Sequence, residues 1–278
     1  MIPTSCEFCG HDVPSERNNC PHCGRQCRFP PNVRAAQDEQ QELDRRYGDA
    51  LAQAGARGAD QPALQFGAAV QSSKAVIARP LRDVERLASS DRELYPTFYG
   101  LTEGEVRSSF GDRWDILRRV ADAALFPGYQ QHIRFAALSL DGDGLDEFGE
   151  CFLVLREDMI AHRASGFEDN SASFVERHHH PVLEGFRSTW EERPKLCVAK
   201  LAKDLQPGML ESEFPAILLR QKSGSQESGF VEVHIYGPIS VHAVDKVILR
   251  KGRTQPRKAM VLELRDRLAK AGVTLEVR

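Results

Sequence analysis

Four cysteines near the N-terminus have the spacing of a metal site. The sequence runs C-E-F-C-G and later C-P-H-C-G, which pairs Cys6 with Cys9 and Cys20 with Cys23. Two thiolates at this spacing can chelate one ion, and the glycine after each pair permits the tight turn in which backbone N–H groups face sulfur. The sequence therefore predicts a closed, structural Zn²⁺ site in a zinc ribbon over residues 1–30. Cys27 is an alternative ligand.

A second group of chemically capable side chains lies in the stretch GFVEVHIYGPI, from Gly229 to Ile239. Apolar and polar residues alternate here, which is typical of a β-strand whose side chains point to opposite faces. One face would carry Val231, Val233 and Ile235, and the other Glu232, His234 and Tyr236. The polar face is either a solvated strand surface or the wall of a site.

The order of elements predicts an α+β fold. Residues 31–128 are expected to form an exposed linker helix and a further helical segment, which includes the small-residue stretch Phe66–Val76. From Ile133 onwards most segments resemble strands, among them IRFAALSL, ECFLVLRE, AILLRQ and VDKVILRKG. Helices first and mostly sequence-adjacent strands afterwards indicate a mixed or antiparallel sheet in residues 129–278. The motif DGDGLDE predicts a hairpin turn that joins the first two of these strands.

Composition narrows the classes of function only slightly. The formal net charge is −3, which favours neither a nucleic-acid partner nor its absence. A C-terminal stretch from Lys246 to Lys270 is rich in lysine and arginine, and could bind a polyanion or simply be a solvated surface. No apolar run approaches the roughly 18 residues needed to span a bilayer, and the N-terminus lacks the basic and apolar regions of a secretory signal. We therefore expect a cytoplasmic protein without a membrane partner.

Common nucleotide and hydrolase motifs are missing from the sequence. It contains no G-x-x-x-x-G-K-[ST], no G-x-G-x-x-G after a strand and no G-x-S-x-G. P-loop enzymes, simple dinucleotide-binding dehydrogenases and α/β hydrolases are therefore not expected.

A series of short motifs in the C-terminal half resembles a known family. FG-x-x-x-L-V-L is followed by R-A-S, then N-S, and finally V-E-V-H-I-Y-G-P. Their order, between Gln131 and Lys251, resembles the bacterial mono-ADP-ribosyltransferase-like toxins and effectors. The resemblance implies a split-sheet ADP-ribosyltransferase-like domain in residues 129–278 that uses NAD as a substrate.

The resemblance also implies roles for individual residues. In that family an Arg or His on the first strand holds NAD, a serine-bearing strand follows, and a Glu on a late strand is catalytic. Glu232 matches the catalytic glutamate, although Phe230 stands where the family often has a second Glu or Gln. The implied NAD-binding residues are Arg134 or His132 for the first strand, Ser171 and Ser173 for the serine motif, Arg163 as a competing phosphate-binding arginine, and Tyr236 as an aromatic partner for nicotinamide.

The implied activity is transfer of ADP-ribose from NAD to a macromolecule, either nucleic acid or protein. By analogy with the family, the chain would be a toxin or a phage-defence effector that an antitoxin protein restrains. The competing hypothesis is a non-catalytic module in which the zinc ribbon and a basic surface bind nucleic acid or a protein partner.

Overall fold

The structure is a computed structural model. It describes residues 4–6, 9–13, 20–24, 30–103, 113–178, 183–223, 228–250 and 258–278. Cys27, the alternative metal ligand, lies outside the described residues. Mixed α+β architecture is confirmed: a large sheet is accompanied by helices from nearly the whole length of the chain.

The strands within the described residues form two sheets. Near the N-terminus, β1 and β2 form a two-stranded antiparallel sheet, while β3 to β10 form an eight-stranded sheet in the order β10-β9-β5-β3-β4-β8-β6-β7. The bounds are β1 Thr4–Ser5, β2 Asp12–Val13, β3 Lys74–Arg79, β4 Ile133–Ser139, β5 Cys151–Leu155, β6 Ala164–Phe167, β7 Arg187–Thr189, β8 Glu232–Tyr236, β9 Val244–Leu249 and β10 Thr274–Val277. All neighbours in the large sheet are antiparallel except β9 and β10, which are parallel.

Eleven α-helices are present in the described part of the chain. They are α1 Pro31–Asp38, α2 Gln40–Ala56, α3 Asp60–Val70, α4 Leu81–Leu87, α5 Phe98–Glu103, α6 Arg113–Leu125, α7 Glu157–Ile160, α8 Ser171–His178, α9 Arg193–Leu201, α10 Phe214–Leu218 and α11 Lys258–Lys270. The main core lies on one face of the sheet, where Val231, Val233 and Ile235 of the alternating segment pack. A smaller aromatic cluster that includes Phe126 and Phe167 lies on the other face.

The sheet opens between β3 and β4. These strands pair only through Lys74–Ser139, Ala75–Leu138 and Val76–Ala137. Beyond Val76, β3 continues beside β5 alone, and the N-terminal part of β4 continues beside β8 alone. The two strands therefore separate into a V-shaped opening, with Arg79 on one side and Arg134 on the other.

Strand β3 is the main difference from the sequence-based prediction. The expected helix through Phe66–Val76 ends at Val70, and Lys74–Arg79 is a central strand of the sheet. Its four middle residues are all buried, so both faces of the strand are covered and the apolar run has no polar face to show alternation. A segment expected to be helical thus completes the sheet of residues 129–278.

The predicted hairpin at DGDGLDE is wrong. The two strands that flank it, β4 and β5, are not neighbours, because β3 lies between them and pairs with both. The connection therefore crosses one end of β3. The Ser139 hydroxyl donates to Asp141 Oδ1 at 3.0 Å and accepts from the Gly142 amide at 3.1 Å, which stabilises the turn.

Two further elements differ from expectation. AILLRQ is not a strand, since Phe214–Leu218 is helical and Arg220 makes only an isolated bridge to Gly229. The expected exposed linker helix forms as α1 and α2, but α2 packs against α9 and buries Ala50 and Ala54. Small side chains on that face allow the two helices to approach closely.

No helix in the described residues is both long enough and apolar enough to cross a membrane.

Candidate functional site

A cleft of about 720 Å³ occupies the opening of the sheet. Both separating strands line it, through Val76–Arg79 of β3 and Arg134–Ala137 of β4. Glu232 on β8, Arg118 on α6 and Ser173 on α8 also line it. The volume falls within the usual range for a small-molecule or cofactor site.

The edges of the opening present backbone groups as well as side chains. Leu138 N–H donates to Val231 C=O, and Gly237 N–H donates to His132 C=O. The backbone N–H and C=O groups of the even-numbered residues of β4 therefore point towards β8. Alternation in an antiparallel sheet then turns the N–H and C=O of Phe135 towards β3. The same alternation, counted from the Val76–Ala137 pair, turns those of Ala78 towards β4. Both pairs of groups point into the opening.

Glu232 is a buried carboxylate with three polar neighbours. Only 2% of the residue is exposed. Its Oε1 accepts from Arg118 Nη2 at 3.1 Å, while Oε2 accepts from the Ser171 amide at 3.0 Å and contacts His234 Nε2 at 3.0 Å. Burial alone would raise the pKa of Glu232, but Arg118, His234 and Ser171 together lower it to about 2. The carboxylate is therefore ionised at neutral pH.

His234 is a neutral supporting residue beside this carboxylate. The rings of Phe126, Phe135 and Phe167 surround it, with centroids 4.7, 5.5 and 5.5 Å from its own. Burial lowers the pKa of His234, although Glu232 opposes the shift. Because a carboxylate only accepts hydrogen bonds, the neutral imidazole carries its proton on Nε2 and donates a hydrogen bond to Glu232.

Arg118 connects Glu232 to a second buried carboxylate, Asp122. Its guanidinium lies 3.7 Å from Asp122 Oδ1, one helical turn along α6, and 4.3 Å from the centre of the Phe135 ring. The Tyr99 hydroxyl donates to Asp122 Oδ2 at 3.1 Å. Burial raises the pKa of Asp122 to about 6, despite the opposing effect of Arg118, and the charge of Glu232 adds to the rise. One guanidinium thus holds two carboxylates with widely separated pKa values.

The start of α8 positions the serines that the sequence indicated. Asn170 caps the helix, since its Oδ1 accepts from the amides of Ala172 and Ser173 at 3.0 and 3.1 Å. This cap directs the Ser171 amide to Glu232, and the Ser171 hydroxyl accepts from Arg118 at 2.5 Å. Ser171 and Ser173 therefore lie in a helix rather than in the serine-bearing strand that the resemblance implied.

Arg134 lies at the open end of the cleft with a second arginine, Arg79. Arg134 donates to two carbonyls, those of Tyr95 and His132, at 3.4 and 3.2 Å. The Arg79 guanidinium lies 5.2 Å from the centre of the Tyr95 ring. Within the described part of the chain, neither arginine has a carboxylate within 4.0 Å, and the buried Nε of Arg79 makes no hydrogen bond. These two cations are thus available to an anionic ligand.

Arg163, His132 and Tyr236, which the sequence also indicated, neither line the cleft nor contact Glu232. Arg163 donates to the carbonyls of Met159, Tyr236 and Pro238, which gives it a structural role at the end of β8. His132 is exposed and its ring lies 5.7 Å from that of Tyr236. Tyr236 packs at the edge of the aromatic cluster. Glu232, Ser173 and Arg134 line one cleft, and Ser171 contacts Glu232 without lining it, whereas His132, Arg163 and Tyr236 do neither.

Sequence reasoning missed Arg79 and Arg118. Arg79 ends a four-residue apolar run immediately before Pro80, a position that a strand interpretation of KAVIAR would have marked as a strand end. Arg118 and Asp122 stand four residues apart in a helix, and this spacing was visible as an ion-pair pattern. Nothing local showed that Glu232, 114 residues further along the chain, completes the group.

The N-terminal cysteines form a separate candidate metal centre. The sulfur atoms of Cys6, Cys9, Cys20 and Cys23 all lie within 4.8 Å of one another. Cys6 and Cys23 are 3.7 Å apart, and Cys9 and Cys20 are 3.5 Å apart. This arrangement could hold one metal ion, as the spacing predicted.

Comparison with known proteins leaves the structure and the sequence as the basis for function: no protein-family model matches the chain, and no curated protein matches it significantly.

Proposed function

We propose that the chain is an NAD-dependent ADP-ribosyltransferase that binds NAD in the opening between β3 and β4. The observation that carries the proposal is the composition of this one cleft. Two arginines without carboxylate partners in the described residues border its open end, and an ionised glutamate lies in its wall. NAD has a doubly charged pyrophosphate, which the arginines can bind, and two sugars, whose hydroxyls the glutamate can contact.

Arg79 and Arg134 would hold the pyrophosphate. Guanidinium groups donate in a planar fork that suits phosphate oxygens. The Arg on the first strand that the family resemblance implies corresponds better to Arg79 than to Arg134, because β3 is the first strand of the large sheet. The nicotinamide carboxamide has a donor and an acceptor, which the N–H and C=O groups of Ala78 and Phe135 can satisfy.

Glu232 would stabilise the charge that develops during transfer. The bond between nicotinamide and the ribose carbon breaks, and nicotinamide leaves with the electron pair. The acceptor atom then bonds to the same carbon and loses its proton. Positive charge develops on the sugar, as in glycoside hydrolysis. With a pKa of about 2, Glu232 is a weak base, so its role is electrostatic stabilisation and contact with a sugar hydroxyl.

The four cysteines would hold a structural Zn²⁺. A tetrahedron with Zn–S distances of about 2.3 Å has edges of about 3.8 Å. The sulfur–sulfur distances of 3.7 and 3.5 Å fit this geometry. Four thiolates complete the coordination, so the metal would stabilise the ribbon and take no part in transfer. A toxin or phage-defence role, restrained by an antitoxin, is consistent with this activity and rests on family analogy.

The test measures nicotinamide release from NAD and incorporation of labelled ADP-ribose into macromolecules of a cell lysate. We expect activity in the wild type, and a loss of about 10²-fold or more in Glu232→Gln. Arg79→Gln and Arg134→Gln should lose activity through weaker NAD binding. Since Glu232→Gln could also weaken folding, the two arginine variants provide an independent result. Arg82→Gln is the matched control, because the Arg82 side chain is 78% exposed and, among the described residues, pairs with its neighbour Asp83 alone.

Two results would contradict the proposal. The first is a wild-type protein that neither binds nor consumes NAD with any lysate fraction. The second is full activity in both arginine variants. A protein that binds nucleic acid or a protein partner but never consumes NAD would instead be the non-catalytic module.

A further inference from the structure

The mouth of the cleft has a cationic and aromatic rim, which we define as Phe148, Lys203, Arg220 and Lys222. All four line the cleft and all are exposed to solvent. Phe148 is 44% exposed, although most large apolar side chains of the described chain are buried. The NAD proposal does not account for an exposed phenyl ring beside three cations.

Hydrogen bonds fix the segments that carry the rim. Gln221 Nε2 donates to the Gly144 carbonyl at 2.7 Å, and Gln221 Oε1 accepts from the Asp146 amide at 3.1 Å. The Ser228 hydroxyl donates to Glu147 Oε1 at 2.8 Å. The turn that carries Phe148 is therefore joined to the segment that carries Arg220 and Lys222. The segments that carry the ring and two of the three cations are held together before any ligand binds.

The backbone beneath Arg220 is also specific. Arg220 and Gly229 exchange two backbone hydrogen bonds, of 2.7 and 2.9 Å. A Cβ atom at position 229 would lie 2.8 Å from Arg220 Nη2, so the glycine makes room for the guanidinium beside it. Arg220 is thus directed along the cleft mouth by a defined local structure.

The cleft is positively charged even though the whole chain is negative. Eight basic and five acidic side chains line it among the described residues, whereas the chain has a net charge of −3. Several cleft cations are neutralised, as Arg177 is by Asp169 and Arg118 is by Glu232. The three rim cations are different, because they form no ion pair with any residue that the structure describes.

The basic C-terminal stretch is less available to an anion than the sequence suggested. Arg250 pairs with Asp143 and Asp146, and Lys246 lies 3.8 Å from Glu276. Arg267 pairs with Glu263. These described cations are already partly neutralised by carboxylates. Lys270 of the same stretch has no ion pair in the described residues, but it does not line the cleft, whereas the three rim cations do.

We propose that the rim binds a single-stranded nucleic acid, which is the acceptor of ADP-ribose; the acceptor role rests on the proposed function. A base stacks on Phe148 while the cations at positions 203, 220 and 222 contact the flanking phosphates. A single strand offers bases and phosphates at once, whereas a duplex buries its bases in the stack. An acidic peptide would use the cations but would leave the ring without a planar partner.

This placement brings the acceptor to the reacting carbon. The rim and Glu232 line one continuous cleft, so a base or sugar atom next to the stacked nucleotide can enter beside the NAD ribose. A nitrogen or oxygen of the strand forms the new bond to the ribose carbon, nicotinamide departs, and the proton of the acceptor atom passes to solvent. No oxidant, metal or further reactant is required.

Fluorescence anisotropy of a labelled 12-nucleotide single strand, titrated with the full chain without NAD over a salt series, tests binding. We expect Phe148→Ala to weaken binding about tenfold or more with an unchanged salt slope. Lys222→Gln should lower the slope of log K against log salt by about 0.7. Leu210→Ala and Lys270→Gln are the matched controls and should bind like the wild type, since Leu210 is 65% exposed outside the cleft and Lys270 is an exposed cation of α11.

Several outcomes would overturn the rim as a nucleic-acid site. These are equal binding of duplex and single strand, loss of binding in Lys270→Gln but not in Lys222→Gln, and stronger binding of a polyglutamate peptide that also depends on the rim. The last result would assign the rim to an acidic protein. A strand that binds through the rim but receives no ADP-ribose would support the site and contradict the proposed reaction, so the two failures are distinguishable.

Discussion

Glu232 illustrates how one side chain depends on several distant parts of the sequence. Its ionised state requires Arg118 from α6, the Ser171 amide from the start of α8 and His234 from its own strand. Removing Arg118 would leave a buried charge without its partner, which typically destabilises a protein by about 3–5 kcal/mol. Arg118 is therefore important for stability, whatever the role of Glu232 in chemistry.

Asp122 and Glu232 make opposite contributions to the pH dependence of stability. The folded-state pKa of Glu232 is about 2, so the stability it contributes is present above pH 4.5 and is lost as the pH falls towards 2. The folded-state pKa of Asp122 is about 6, above its usual 3.8. Asp122 therefore binds a proton more tightly when folded, and stability rises as the pH falls from 6 to about 4.

We expect Asp122→Asn to remove this rise, which amounts to at most about 3 kcal/mol. Asparagine keeps the shape and can still accept from Tyr99, so the core should be preserved. Urea unfolding of the wild type and of the variant at pH 4, 5, 6 and 7 measures the effect. If the variant keeps the wild-type slope between pH 6 and 4, Asp122 is not the group that titrates there.

At the scale of elements, Gly149 fixes the end of β3 that carries Arg79. Gly149 has a φ of +140°, and a Cβ atom there would lie 2.1 Å from the Arg79 carbonyl carbon and 2.3 Å from Pro80 N. These are backbone atoms, so a larger residue cannot be accommodated by a side-chain rotation. The close approach of this turn to β3 sets the position of Arg79 at the cleft.

We expect Gly149→Ala to destabilise the fold by about 1–3 kcal/mol through overpacking, in addition to backbone strain. It should also weaken NAD binding, because Arg79 must move. Gly208→Ala is the matched control: its φ is +76°, but no atom lies within 4 Å of the added Cβ. Thermal unfolding and NAD titration of both variants separate the two effects. If both variants are destabilised equally and both bind NAD like the wild type, Gly149 does not set the position of Arg79.

The elements also show which parts of the fold the sequence could predict. Strand β8 was predictable because Glu232 to Tyr236 alternate, and α11 followed by β10 had clear local patterns. Strand β3 was not, because Val76 and Ile77 belong to a short continuous apolar run, which periodicity cannot distinguish from a buried helix. Missing β3 also produced the false hairpin between β4 and β5.

The candidate site was predictable only in part, for a similar reason. Glu232, Ser171 and Arg134 could be indicated by their types and order in the chain. Arg118 could not be assigned to the same site, since its contact with Glu232 spans 114 residues. Arg163 and Tyr236 were indicated by the same motifs, but backbone hydrogen bonds and packing place them away from the cleft. Short motifs give order along the chain, and sheet order determines which residues meet.

At the scale of the whole molecule, the cysteine cluster is a small unit with its own packing. The buried apolar residues around it are Cys6, Val13 and Cys20, and they form a cluster separate from the main core. With so few buried apolar residues among those described, this unit would depend on the proposed metal for folding, because metal binding would supply the free energy that a core otherwise provides.

We expect one Zn²⁺ per chain by elemental analysis, and a loss of order in the ribbon alone when a chelator removes it. The thermal transition of the large sheet should shift little, since no residue of the cluster belongs to its core. Hydrogen exchange resolved by peptide, before and after chelation, measures both parts. Cys20→Ser should reproduce the effect, with Cys151→Ser as a control for loss of a buried thiol. Unfolding of the sheet on chelation would show that the ribbon supports the whole chain.

The short seam between β3 and β4 has a mechanical consequence. Only three residue pairs connect the four strands on one side of the opening to the four strands on the other. The ladders on either side have four and five residue pairs, so we expect the seam to resist bending less than they do. A ligand that contacts Arg79 on one half and Arg134 on the other would hold the two halves at a fixed angle. Its binding energy would then depend on the stiffness of the protein as well as on the contacts.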